Sequence, residues 1–164
     1  MTTNEKLNLM SQKTYDKLIK QRETVNSQYA ETVKSRGESA AGGDWHDNAA
    51  LDYFDAQTNL LSSQLANLNT LISTASIIHP PSSTRSVGIG TEVVVEFGQN
   101  DREKYLILGP ADNDPSAGII SYETPLARSI MNKTPGETAS FTVGEAGESR
   151  ETKIKVITIK PGRF

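Results

Sequence analysis

Two acidic residues lie close together in a short polar segment of the N-terminal half of the chain. The segment runs from Gly42 to Ala50, and Asp44 and Asp47 are three positions apart within it. Carboxylate oxygens are ligands that Mg²⁺ prefers, and they can orient or deprotonate a water molecule. An Asp at a helix N-cap and another in the first turn would equally stabilise a helix that starts here. The chemistry of this pair therefore depends on the elements around it.

The neighbours of the two acids do not complete a metal site. His46 is an isolated histidine, which is typical of a solvated turn residue. Trp45 can be explained by packing across the end of a helical hairpin, which the flanking sequence predicts below. The chain has no Cys and no second cluster with metal-ligand spacing. We therefore expect no cofactor that belongs to this protein alone.

Both flanks of the segment carry helical periodicity. Ser11 is a suitable N-cap for a first helix that extends to about Arg36. Its apolar face contains Tyr15, Leu18, Val25, Tyr29 and Val33. The second helix has the alternating steps of three and four that are typical of a coiled-coil seam. This seam contains Leu51, Phe54, Thr58, Leu61, Leu65, Leu68 and Ile72.

Glycines predict the reversal between these helices, since glycine is a poor helix former. They are Gly37, Gly42 and Gly43. The pattern therefore predicts an antiparallel helical hairpin with both acids at its tip.

The C-terminal half has a different pattern. Pro80 and Pro81 interrupt any helix, and strand-like runs separated by turn residues follow. The runs cover residues 92–97, 104–108, 118–121, 139–143 and 152–159, with a short helix predicted at 125–131. We predict an α+β protein with a coiled-coil hairpin at 1–78, a linker at 79–86 and a small α+β domain at 87–164.

Composition restricts the setting and the function. The 164-residue chain has a formal net charge of -3, which argues against broad, non-specific nucleic-acid binding. It has no cysteine and no apolar stretch long enough to span a bilayer, so we expect a soluble cytoplasmic protein without a membrane partner. Residues 37–84 contain no Lys or Arg, whereas the first helix leans basic.

Five sequence blocks resemble one known family. Gly43-Asp44-Trp45-His46-Asp47-Asn48-Ala49 is similar to the G-D-x-x-E-N-A signature of the bacterial transcript cleavage factors GreA and GreB. The later blocks of that family are matched in order by Gly90-Thr91-Glu92-Val93-Val94-Val95, Tyr105-Leu106-Ile107-Leu108-Gly109, Ile119-Ile120-Ser121 and the segment Pro125 to Lys133. The resemblance spans nearly the whole chain.

The resemblance implies a coiled coil followed by an FKBP-like domain. In that family the C-terminal domain docks on bacterial RNA polymerase at the rim of its secondary channel, and the coiled coil enters the channel. The tip acids, here Asp44 and Asp47, would then share the second Mg²⁺ of the polymerase active site, supported by Asn48 and Trp45. The protein would stimulate the polymerase's own cleavage of backtracked RNA and would not itself be an enzyme.

The resemblance also assigns contact residues. Lys34 and Arg36 are candidates to contact the nascent RNA 3′ end. The candidates for docking on polymerase are Gly109, Asp112, Ser121, Asn132 and Lys133.

Departures from the family pattern leave three hypotheses open. The second tip acid is Asp47 where the family has Glu, and Leu51 and Tyr53 break the E-Y-H that follows. The leading hypothesis is a transcript cleavage factor. The second is a Gre-like regulator that occupies the channel and inhibits polymerase, and the third is an FKBP-like interaction module outside transcription.

Overall fold

A computed structural model describes residues 7–42, 49–98, 100–143 and 150–164. The chain is α+β, as predicted, with a long N-terminal helical hairpin and a sheet-containing part. One compact unit is Tyr15–Thr74, and the other contains the described residues of Met1–Thr14 and Ala75–Phe164. This division differs from the predicted boundary at residue 78, because short segments on both sides of the hairpin belong to the second unit.

The hairpin consists of α1 (Gln12–Gly42) and α2 (Ala49–Ser73). The predicted N-cap is confirmed, since the Oγ of Ser11 accepts a hydrogen bond from the backbone N–H of Thr14 at 3.2 Å. The assignment of Gly37 to the chain reversal was wrong, because α1 continues through it to Gly42. One glycine costs a helix about 1 kcal/mol relative to Ala, which the turns on both sides can offset.

The predicted seam of α2 forms the core of the hairpin. Val25 of α1 is buried with Leu61 and Leu68 of α2. Leu18, Tyr29 and Leu65 pack against these three side chains. Nearer the end of α1, Arg36 forms an ion pair with Asp55 of α2. Later residues of α1 thus face earlier residues of α2, as in an antiparallel pair.

Two short strands that were not predicted flank the hairpin in the amino-acid sequence. Strand β1 (Asn8–Met10) precedes α1, and β2 (Ala75–Ile77) follows α2. They pair in parallel, and the backbone N–H of Ile78 donates to the carbonyl oxygen of Met10 at 2.8 Å. Residues 75–77, which were predicted to end the second helix, are therefore extended.

The second unit is built on a five-stranded sheet. Its strands are β3 (Thr91–Phe97), β4 (Asp101–Leu108), β5 (Ile119–Ser121), β6 (Thr138–Val143) and β7 (Arg150–Pro161), in the order β5-β4-β3-β7-β6. Only the β4–β5 pair is parallel among these strands. Helix α3 (Pro125–Ile130) begins at the N-cap Thr124. The five predicted strands and the short helix are confirmed, although most strands are longer than predicted.

The two faces of the sheet differ in character. We call the face that carries the hydrophobic core, where Ala127 and Ile130 of α3 pack, the inner face. Its buried apolar strand residues are Val93, Val95, Ile107, Ile120, Ile154 and Val156. We call the opposite, mostly polar face the outer face. The β3–β7 register shifts between Val94 and Val95, which pair with Thr158 and Val156.

Leu61 provides a test of the hairpin core. Leu61→Ala should lower the free energy of unfolding by at least about 2 kcal/mol, because it leaves a cavity between the helices. Leu61 is 8% exposed, whereas the adjacent Leu60 is 52% exposed. Leu60→Ala should therefore change stability by less than about 0.5 kcal/mol. Urea denaturation followed by circular dichroism compares the two variants, and equal losses would contradict the predicted core.

Candidate functional site

The predicted tip lies outside the described residues. This applies to Asp44, Trp45, Asp47 and Asn48. The described chain reaches Gly42 at the end of α1 and resumes where α2 begins. Within the described ranges, no group of three or more His, Cys, Asp or Glu side chains could hold a metal ion.

The two candidate RNA-contacting cations are on the surface of α1 and already have acidic neighbours. The Nζ of Lys34 lies 3.9 Å from Oε1 of Glu38, one helical turn later. The Nε of Arg36 donates to Oδ1 of Asp55, and this hydrogen bond raises the pKa of the guanidinium, which stays charged. Both pairs are exposed, so Lys34 and Arg36 can each exchange their acidic partner for another anion at little cost in free energy.

The surface of α2 is almost uncharged. Its charged residues are Asp52 and Asp55, and the rest of its polar residues are Asn, Gln, Ser and Thr. Tyr53 is 60% exposed, one heptad before the half-exposed Leu60. None of the described helices has an apolar run of the length that crossing a membrane requires.

Two of the docking candidates have internal roles instead. Asp112 is 8% exposed, and its carboxylate accepts from the backbone N–H of Ser11 at 2.9 and 3.1 Å and from the Ser11 hydroxyl at 2.5 Å. Gly109 lies against β1, where a Cβ atom would be 1.6 Å from the carbonyl oxygen of Leu9. These residues hold the chain at the start of α1 and do not present side chains to a partner.

Ser121 is also buried. Its backbone N–H donates to Oδ1 of Asn113 at 3.1 Å, and its hydroxyl accepts from the N–H of Glu123 at 3.1 Å. Its carbonyl oxygen accepts from both the N–H and the hydroxyl of Thr124, the N-cap of α3. Ser121 therefore shapes the turn that leads from β5 into α3.

The remaining two candidates are accessible. Asn132 is exposed and Lys133 partly exposed, and their backbone is fixed by a reciprocal pair of hydrogen bonds with Val87 at 2.8 and 2.9 Å. The Nζ of Lys133 lies 3.8 Å from Oε1 of Glu137. The pKa of Glu137 is lowered mainly by hydrogen bonds from Thr134 and further by Lys133. This segment is the part of the predicted docking set that can touch a partner directly.

Comparison with known proteins agrees with the resemblance seen in the sequence. Residues 82–161 match the family described as "Transcription elongation factor, GreA/GreB, C-term". The chain is 30% identical over 160 residues to the transcription elongation factor GreA of Bacillus subtilis (strain 168), which covers 97% of this chain and 94% of that protein. It is 27% identical over 159 residues to GreA of a Nitratiruptor species, covering 94% and 95% of the two chains. In a comparison with solved structures, a crystal structure of GreA factor homolog 1 (Gfh1) from Thermus thermophilus aligns with 94% of this chain and 99% of the Thermus chain, with 18% identity and a TM-score of 0.44.

The identity to the Bacillus protein over nearly its full length shows that this chain belongs to the GreA/GreB family of transcription elongation factors.

Asp112 can be tested as a structural residue. Asp112→Ala should lower the free energy of unfolding by about 1.5–3 kcal/mol, because it leaves the buried N–H and hydroxyl of Ser11 without their acceptor. Asp101→Ala, at the exposed start of β4, is the matched control and should have little effect. Thermal or urea denaturation measures both. An Asp112→Ala protein of unchanged stability would overturn the internal role and restore Asp112 as a docking candidate.

Proposed function

We propose that this chain is a transcript cleavage factor that acts on backtracked bacterial RNA polymerase. The observation that carries the proposal is its identity to GreA of Bacillus subtilis over almost the whole of both chains, the hairpin included. Membership of a family of elongation factors argues against the third hypothesis, a module that acts outside transcription.

The length of the hairpin supports the proposal that it enters a channel. Helix α1 has 31 residues, which corresponds to about 46 Å at 1.5 Å per residue. Its two helices are held together by an apolar core and by the Arg36–Asp55 pair nearer the tip. A paired rod of this kind keeps its end at a defined distance from its base, as delivery of catalytic groups requires.

The residues between the helices fit a shared magnesium ion by their chemistry. Asp44 and Asp47 offer carboxylate oxygens, the ligands Mg²⁺ prefers, and two acids leave room for ligands from a second protein. When bound in the polymerase active site, the ion would stabilise charge that develops on the phosphate. Asp44 and Asp47 would bind the ion from the side of this protein and orient the attacking water, while Asn48 and Trp45 would support these two acids. The exposed Lys34 and Arg36 would contact the extruded RNA.

Docking on the rim of the polymerase secondary channel would use the exposed segment at Asn132 and Lys133. Ser121 would support this surface from inside through the turn that leads into α3. Gly109 and Asp112 would contribute only by holding the start of α1. In that arrangement Lys133 can exchange its partner Glu137 for an acid of the polymerase, since their exposed pair is weak.

One observation favours inhibition as a second candidate function. Helix α2 carries no cation of its own and the last turn of α1 carries none, so there is little positive charge to hold RNA near the tip. Asp47 is also one methylene shorter than the Glu of the family pattern. A hairpin that enters the channel with such a tip would occupy it without efficient cleavage.

The tip acids are tested by substitution. Asp44→Asn and Asp47→Asn should each lower cleavage of a backtracked complex by at least about tenfold, because each removes a charged oxygen ligand. Asn is also a good N-cap, so Asp44→Asn should cost less than about 1 kcal/mol of stability. Asp47→Glu should preserve or increase cleavage if reach limits this tip. Release of short 3′ RNA fragments is the measurement.

Asp52→Asn is the matched control for the tip variants, since Asp52 is an exposed acid in the first turn of α2. It should leave cleavage unchanged. Full activity of both tip variants would overturn the catalytic proposal. A parent protein that slows elongation without releasing fragments would establish the inhibitor instead.

Docking is tested at Asn132, which has a positive φ of 63°. Asn132→Gly removes the side chain while glycine tolerates this backbone, so polymerase binding should weaken about fivefold without loss of stability. Asn100→Gly is the matched control, because Asn100 has a φ of 68° in the turn between β3 and β4. Affinity can be measured by titration of labelled full-length protein with polymerase. Equal affinities for both variants and the parent would remove Asn132 from the docking surface.

A further inference from the structure

The outer face of the sheet carries a concentration of positive charge. Its basic side chains, with the one that follows β7, are Arg102, Lys104, Lys153, Lys155, Lys160 and Arg163, which we call the outer-face cations. The described acids on the same face are Glu92, Glu96 and Glu151. The face is therefore positive although the chain as a whole has a formal charge of -3.

Most of these cations have no acidic partner among the residues that the structure describes. The Nε of Arg102 lies 2.8 Å from Glu96, and the Nζ of Lys104 lies 3.4 Å from Glu92. The other four are exposed and form no salt bridge with any residue that the structure describes. They are Lys153, Lys155, Lys160 and Arg163. Unpaired charges on one face attract an anionic partner more strongly than the net charge of the protein indicates.

A β-bulge keeps the cations of β7 on one face. Thr158 and Val156 of β7 pair with consecutive residues of β3, so Ile157 is an extra residue in this strand. Without the bulge, Lys155 and Lys160 would point to opposite faces, because they are an odd number of residues apart. With it, both point away from the core.

The cations surround two depressions. One has a volume of about 610 Å³ and is lined by Glu92, Lys104, Lys160, Pro161, Gly162 and Arg163. The other has a volume of about 460 Å³, and its lining includes Lys153, Lys155 and the small polar residues Thr138 and Ser140. Lys160 and Lys155 pair with Glu92 and Glu96, which are four residues apart on β3, so the two lysines are about 13 Å apart at 3.3 Å per residue. A ligand that reaches both depressions must be extended.

The composition of the face favours phosphate over an acidic protein. Protein interfaces are depleted of lysine and depend on buried aromatic or apolar anchors. Here Val94 and Leu106 are already partly buried, and lysines and hydroxyls make up most of what is exposed. Lys, Arg, Ser and Thr are the side chains that contact phosphate oxygens. Phe164, 37% exposed beside Arg163, adds an aromatic surface on which one base can stack.

We propose that the outer face of the sheet binds single-stranded nucleic acid through its phosphates. A flexible strand can follow a twisted sheet into both depressions, as single-strand-binding surfaces generally require. A stiff duplex would touch only part of the face. This site belongs to the second unit. It does not depend on the tip acids or on the proposed docking on polymerase.

The test uses the full-length protein without polymerase and a fluorescently labelled 15-nucleotide oligouridylate in 50 mM salt. With four phosphate contacts, raising the salt to 200 mM should weaken binding about 50-fold. Lys153→Ala/Lys155→Ala and Lys160→Ala/Arg163→Ala should each weaken binding and reduce the salt dependence by about half. Lys17→Ala/Lys20→Ala makes the same change in net charge on the exposed surface of α1 and should leave binding unchanged.

One variant should bind more tightly, which no folding defect can imitate. Glu92→Gln removes an acid from the larger depression and releases Lys104 from its ion pair. Oligodeoxythymidylate should bind about as well as oligouridylate, because phosphates carry the interaction. Three results would overturn the proposal: no binding by the parent in 50 mM salt, equal losses in the test and control variants, or tighter binding of polyglutamate than of the oligonucleotide. The last result would assign the face to an acidic protein.

Discussion

The buried hydrogen bonds between Asp112 and Ser11 fix the point at which the long first helix begins. A buried carboxylate is costly unless its oxygens have donors, and here an N–H and a hydroxyl supply them at the positive end of a helix. The same Ser11 hydroxyl caps α1 by accepting from Thr14. Gly109 allows β1 to approach closely enough for this arrangement. The start of the hairpin is thus set by residues that lie about a hundred positions later in the chain.

Local patterns were sufficient to predict both long helices, the short helix and the five strands of the main sheet. The seam of α2 identified Leu61 and Leu68 as core residues because a heptad repeat places every member on one side of a helix. The main strands were recognisable from β-branched runs between turn residues. Gly37 was misjudged because its propensity was considered without the packing of a long helix around it. Strands β1 and β2 were missed because three residues are too few to show alternation.

The candidate site was less predictable, because burial depends on distant residues. A sequence motif could not show that Asp112 has its partner at Ser11, or that Gly109 lies against Leu9. Of the docking candidates, Asn132 and Lys133 have accessible side chains, and their contact with a partner stays a prediction. The outer-face cations are scattered along the sequence from residue 102 to residue 163, and their common face emerges only from strand register and the bulge at Ile157. Net charge alone had pointed away from nucleic acid.

The pairing of β1 with β2 makes the hairpin an insertion within the other unit. The chain leaves that unit after Thr14 and returns at Ala75, and the strands that precede and follow the hairpin form one parallel pair. During synthesis α1 and α2 can pair through local contacts, whereas the β1 segment, made first, must wait for Gly109 and Asp112 to be made. The pairing of these strands also permits exchange of the whole hairpin between relatives, because a replacement need only join two neighbouring strands. The hairpin and the sheet domain can thus evolve as separate parts of one chain.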